Sequence, residues 1–191
     1  MATNRKTATL VGVLYIIATA AGVLSVIFMP ALDDQDYLTK MSAEETRMII
    51  GISFYFIMAV AVAAIAIVLY PVLKKHNETL ALGNVCARLI EGTLFLVHII
   101  TILALLTLSQ EFVEADMPSA SHFQATGELL QSVGHWAGEV VVGIIFPLSA
   151  LIFYYLLYQT RLVPRWLSSW GLIGAILYPA AALALLGSPT S

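Results

Sequence analysis

A chain of 191 residues that is 60% hydrophobic and only 11% charged has too little polar surface to cover a water-soluble body, because globular domains run about half apolar and about a quarter charged. A formal net charge of −3 excludes a nucleic-acid binder, and a single cysteine excludes a disulfide scaffold. What remains is a membrane protein, to be measured in spans of roughly 20 apolar residues.

Residues 8–30 carry no charge and form the first predicted span. Arg5 and Lys6 precede it as in a secretory signal, but the apolar run exceeds the roughly 7–15 residues of a signal core, and Met29-Pro30-Ala31 is no small-residue cleavage site. The segment therefore reads as an anchor. Residues 48–73 give a second charge-free span, and residues 80–108 a third that contains Arg88, Glu91 and His98. Cys86 lies in this third span, where a small core residue is expected. A fourth span covers residues 130–158, with His135 and Glu139 near its start, and a fifth covers 166–186. Continuous helix over 119–160 would be about 60 Å long at the helical rise, with Pro147 as its expected kink. Lipid offers backbone groups no partner, so all these runs must be helical. The predicted fold is a single all-α transmembrane domain over residues 1–191, a bundle of five helices.

Basic residues mark cytoplasmic joints. Arg5, Lys6, Lys74, Lys75, Arg161 and Arg165, six of the nine basic residues, fall on one side of this arrangement. Loops on the other side carry Asp33, Asp34, Asp36, Glu44, Glu45, Glu111, Glu114 and Asp116 against Lys40 and Arg47. The N-terminus is therefore expected in the cytoplasm and the C-terminus outside. Trp166, Trp170, Tyr154, Tyr155 and Tyr158 cluster at one cytoplasmic joint, as an aromatic belt does.

Ionisable groups within a span cost about 2.5–3.5 kcal/mol each and normally face protein or water. At 100° per residue, Asn84, Arg88, Glu91 and His98 fall within an arc of about 80° on span three, and Glu128, Gln131, His135 and Glu139 within a similar arc on span four. His98 and Glu139 are expected at similar depth, roughly 15 Å from the outer end, with His135 one turn higher. Antiparallel neighbours joined by one loop pack side by side, so the two stripes predict a polar column of Arg88, Glu91, His98, His135 and Glu139. Gly134 and Gly138 form a G-x-x-x-G pair that would let a neighbouring backbone approach.

These five residues are the ligand-binding candidates, and the chemistry they permit is open. Arg88 and Glu91, three apart, can neutralise each other on one helix face. Glu91, His98, His135 and Glu139 are ligand types that suit zinc or iron. Their spacing matches neither H-E-x-x-H nor a Glu-x-x-His pair, and Arg88 would repel a cation beside Glu91. A haem between His98 and His135 would rest on two histidines alone. Buried carboxylates and imidazoles also mark proton pathways, although five spans do not divide into the repeated halves of a transporter. An enzyme reading would use Glu139 or Glu91 as general base beside a His-bound metal; no serine nucleophile motif is present. The leading expectation is a module that binds a small ligand, proton or cation. The alternatives are an intramembrane metal-dependent enzyme and a structural or accessory subunit. Expected partners are the bilayer and a homo-oligomer or larger membrane complex, with no nucleic acid.

Arg88-Leu89-Ile90-Glu91-Gly92, His135-Trp136, Leu156-Leu157-Tyr158, Arg161-Leu162-Val163-Pro164-Arg165-Trp166-Leu167 and Trp170-Gly171-Leu172-Ile173-Gly174 occur in that order, preceded by Leu10-Val11-Gly12-Val13-Leu14-Tyr15. In this order they resemble the bacterial multi-pass membrane family catalogued as domain of unknown function 4386, over nearly the whole chain. The resemblance implies a bacterial plasma-membrane protein in which Arg88, Glu91 and His135 are matching positions. It also implies one more C-terminal helix than the five counted here, and no known reaction.

Overall fold

A computed structural model describes residues 2–29, 36–115 and 120–186, without the side chains of 2–4, 120–121, 139, 142 and 180–186. Among the described residues there are helices and no strand. They are α1 (Ala2–Phe28), α2 (Tyr37–Ala43), α3 (Glu45–Leu73), α4 (Glu78–Glu114), α5 (Ala120–Val140), α6 (Phe146–Thr160) and α7 (Arg165–Leu186), with a π-helical turn, Val141–Ile145, joining α5 to α6. Four stretches are long and apolar enough to cross a membrane: Arg5–Phe28, Glu45–Leu73, Glu78–Glu114 and His122–Thr160. The fifth expected span coincides with α7, whose part with described side chains, residues 165–179, is shorter than the roughly 20 residues of a crossing. The acidic loop residues Asp33, Asp34 and Asp116 lie outside the described residues.

The burial pattern is that of a protein solvated by lipid. Ala59, Ala61, Ala66, Ala81 and Ala87 are buried, while Ile16, Val26 and Ile100 are 71%, 73% and 65% exposed. Without water to drive apolar groups together, membrane helices associate through close contact at small residues. Bulky aliphatic side chains are then free to face the acyl chains. Cys86 is exposed as well, contrary to the core position expected for it.

The chain divides into two compact units. The first comprises Met1–Leu14, Val62–Gly92 and Glu139–Ser191. Leu73, Ala81 and Leu156 form its buried centre, with Ile152 and Phe153 against them. The turn from α3 to α4 is tight because the Leu73 carbonyl accepts both His76 N–H and Asn77 N–H. Asn77 then caps α4, its Oδ1 accepting Leu80 N–H at 3.0 Å, the usual use of a short polar side chain at a helix start. The turn from α6 to α7 closes through Arg161, which holds a left-handed φ of 53° while its N–H donates to the Leu157 carbonyl. Pro164 begins the next helix by accepting from Leu167 and Ser168 N–H. Pro147 was expected to kink a single long helix. The observed disruption is the π-helical turn just before it, in which Phe146 N–H donates to the Val141 carbonyl. A proline ring crowds the carbonyl four residues back, and a wider turn makes room for it.

The second unit comprises Tyr15–Ala61 and Thr93–Gly138. Its core is Leu38, Met41, Met48, Ile52, Ile102, Leu105 and neighbours. The short helix α2 lies in a segment read from sequence only as loop, and it buries Tyr37, Leu38 and Met41. Gly51 allows α3 to approach the end of α1, where a Cβ would meet Met29 N at 3.1 Å.

Candidate functional site

Each unit holds its own polar cluster. In the first unit, α4 carries Asn84, Arg88 and Glu91 along one face. The Arg88 guanidinium donates through Nη1 to both Glu91 carboxylate oxygens, at 3.1 and 3.0 Å. Glu91 is 2% exposed. Ser149 Oγ, on α6, lies 3.0 Å from the Phe146 carbonyl and 3.3 Å from Glu91 Oε2. The guanidinium also sits over the Phe146 ring, 5.7 Å from its centroid, a favourable cation–π arrangement. The expected ion pair therefore forms, with a hydroxyl partner that sequence periodicity did not indicate. One turn earlier, buried Asn84 Oδ1 has no hydrogen-bond partner among the described residues.

In the second unit, α4 and α5 meet at His98. Its Nδ1 lies 3.0 Å from the Gly134 carbonyl oxygen. A carbonyl only accepts, so Nδ1 carries the proton, and in the uncharged tautomer that this contact selects the lone pair is at Nε2. The Tyr55 ring packs at 5.5 Å and holds the imidazole in place. A Cβ on Gly134 would stand 3.4 Å from His98 Nδ1 and 3.3 Å from Thr101 Cγ2, whereas one on Gly138 would meet nothing within 4 Å. Close approach at the G-x-x-x-G pair thus occurs at its first glycine. His98, expected level with Glu139, meets α5 about one turn away, at Gly134.

A groove of about 630 Å³ runs beside this contact. His98, Thr101 and Leu105 line it from α4, and Glu128, Gln131, Ser132, His135 and Trp136 from α5. Glu128 and His135 are exposed, and neither has an ion-pair or hydrogen-bonding side-chain partner among the described residues. Near the same end of α5, Tyr37 is buried with its hydroxyl unpartnered among the described residues. Burial, and then the negative charge of Glu128, push its phenol above the ordinary range. Glu128 and Tyr37 were absent from the sequence-based candidates. The sequence marks Glu128 only as a member of the stripe, and Tyr37 lies in a segment that reads as loop.

Among the described residues, no group of three or more His, Cys, Asp or Glu converges to hold a metal ion. The side chain of Glu139, one of the four expected ligands, lies outside the described residues.

A family profile described as domain of unknown function (DUF4386) matches residues 10–190. The chain belongs to this family. The match extends through both units, so the family likeness seen in the ordered motifs is a property of the whole domain. No curated protein and no solved structure matches the chain.

Proposed function

We propose that this member of the family is a multi-pass protein of the bacterial plasma membrane, with five spans and a cytoplasmic N-terminus, that binds a small ligand, a proton or a cation. The six basic residues at Arg5, Lys6, Lys74, Lys75, Arg161 and Arg165 support the orientation, and α7 supports the fifth crossing. Of the expected site residues, His98 and His135 have the geometry that favours binding. The observation that carries the reading is the His98 Nδ1–H bond to Gly134, because it leaves Nε2 as an acceptor on a ring lining the groove.

A second reading, a structural or accessory subunit, is favoured by Arg88–Glu91. Glu91 is buried and both its carboxylate oxygens are spent on partners within the fold. Thermal-shift measurements on the purified protein against a small-molecule set, with metal analysis alongside, separate the readings. Binding that disappears in His98→Ala and His135→Ala supports a ligand module. Variants that lower thermal stability and change no binding support the accessory role. Stoichiometric zinc or iron lost in the same variants would instead promote the enzyme.

A further inference from the structure

Three of the groove's polar side chains spend a hydrogen on the backbone and keep their lone pairs. Thr101 Oγ1 donates to the Val97 carbonyl at 2.9 Å, and Ser132 Oγ donates to the Glu128 carbonyl at 2.8 Å. His98 spends its proton on Gly134. What these groups still present is Nε2 of His98 and the two hydroxyl oxygens, beside the Glu128 carboxylate, which accepts only; Gln131, His135 and Trp136 add N–H groups to the same lining. Beside them are the apolar side chains of Ile102, Leu105 and Leu130 and the indole of Trp136, 67% exposed. A carboxylate with no cation paired to it among the described residues, over an apolar floor, is complementary to a positive, donor-rich head on an apolar body. Charge-assisted hydrogen bonds to a carboxylate are roughly twice as strong as neutral ones, and an indole face attracts a cation. The volume falls within the usual range for small-molecule sites, roughly 300–1,000 Å³.

We propose that the groove binds a protonated organic amine with an apolar body, its ammonium N–H groups donating to Glu128 and His98 Nε2. This inference rests on the ligand-binding reading above and adds the ligand class.

Three probes sharing one aromatic body test it: 2-(2-naphthyl)ethylammonium, its N,N,N-trimethyl analogue, and 2-naphthylacetate. Each is titrated calorimetrically at pH 8 into the full chain in phosphatidylcholine nanodiscs, with empty nanodiscs as the blank. The expected result is primary-amine binding at least tenfold tighter than that of either other probe. It should weaken at least tenfold in Glu128→Gln and in His98→Ala, and stay unchanged in Glu111→Gln. His135→Gln serves as a second groove variant if His98→Ala does not fold. Equal or tighter binding of the carboxylate, or amine binding indifferent to Glu128→Gln, overturns the amine assignment. If one of the other probes then binds in a His98-dependent way, the groove stands as a site for another class. If none of the three binds with dependence on Glu128, His98 or His135, both the assignment and the ligand-module reading fall.

Discussion

In the first unit Glu91 is almost wholly buried, and its oxygens meet Arg88 and Ser149. In the second, Glu128 is exposed on the wall of a groove, and the described residues bring no cation to it. The same helix, α4, contributes to both clusters, with Arg88 and Glu91 to one and His98 to the other. The difference lies in what faces each carboxylate. A guanidinium three residues away and a hydroxyl from α6 occupy the first, an arrangement suited to holding helices together. No cation among the described residues closes off the second, which leaves its carboxylate open to a ligand.

The largest effects should separate the clusters by stability. Removing one partner of a buried ion pair leaves an uncompensated charge and costs about 3–5 kcal/mol. Arg88→Met and Glu91→Leu should each show this loss in denaturant titrations of the purified protein, and the double variant should recover most of it. If the double variant is as unstable as the singles, the pair is not a self-contained lock. Next in size is Gly127→Ala, whose new Cβ would overlap the Tyr37 hydroxyl. Overpacking of this kind costs about 1–3 kcal/mol, and Tyr37→Phe should relieve most of it, a coupling readable from a double-mutant cycle.

His98→Ala should cost less, about 1 kcal/mol, the net worth of one hydrogen bond. A loss as large as that of Glu91→Leu would make the groove structural too and erase the contrast. Smallest is the effect of Tyr37→Phe alone. Deleting an unpartnered buried hydroxyl should leave thermal stability unchanged or slightly higher. The phenol is shifted upward on folding, so the folded state holds its proton more tightly than the unfolded one. The associated stability is complete below the ordinary phenol range, near pH 10, and declines as pH rises from there through the shifted value. Melting curves between pH 9 and 11 should fall less steeply for Tyr37→Phe than for the parent.

Much of this was legible in the residues because it is local. Long apolar runs specify helices in lipid, three-residue spacing specifies the Arg88–Glu91 pair, and 100° periodicity places Glu128, Gln131 and His135 on one face of α5. Partners distant in sequence left no such trace. Ser149 is one hydroxyl in an apolar run, and nothing periodic ties it to Glu91, 58 residues away. Gly134 and Gly138 look equivalent on paper, yet only the first meets His98, because the choice depends on where the opposing helix lies. Helix α2 is too short, at seven residues, for its periodicity to stand out from a loop. Its place is fixed by the apolar neighbours of Tyr37, Leu38 and Met41.

The wide turn at Val141–Ile145 absorbs one residue more than regular helix would. Its evolutionary consequence is a tolerance for single-residue length change at that spot. Relatives that lack one residue there and replace Pro147 could wind straight through and still present a hydroxyl to Glu91. The same deletion between the turn and Ser149 would rotate that hydroxyl away by about 100°.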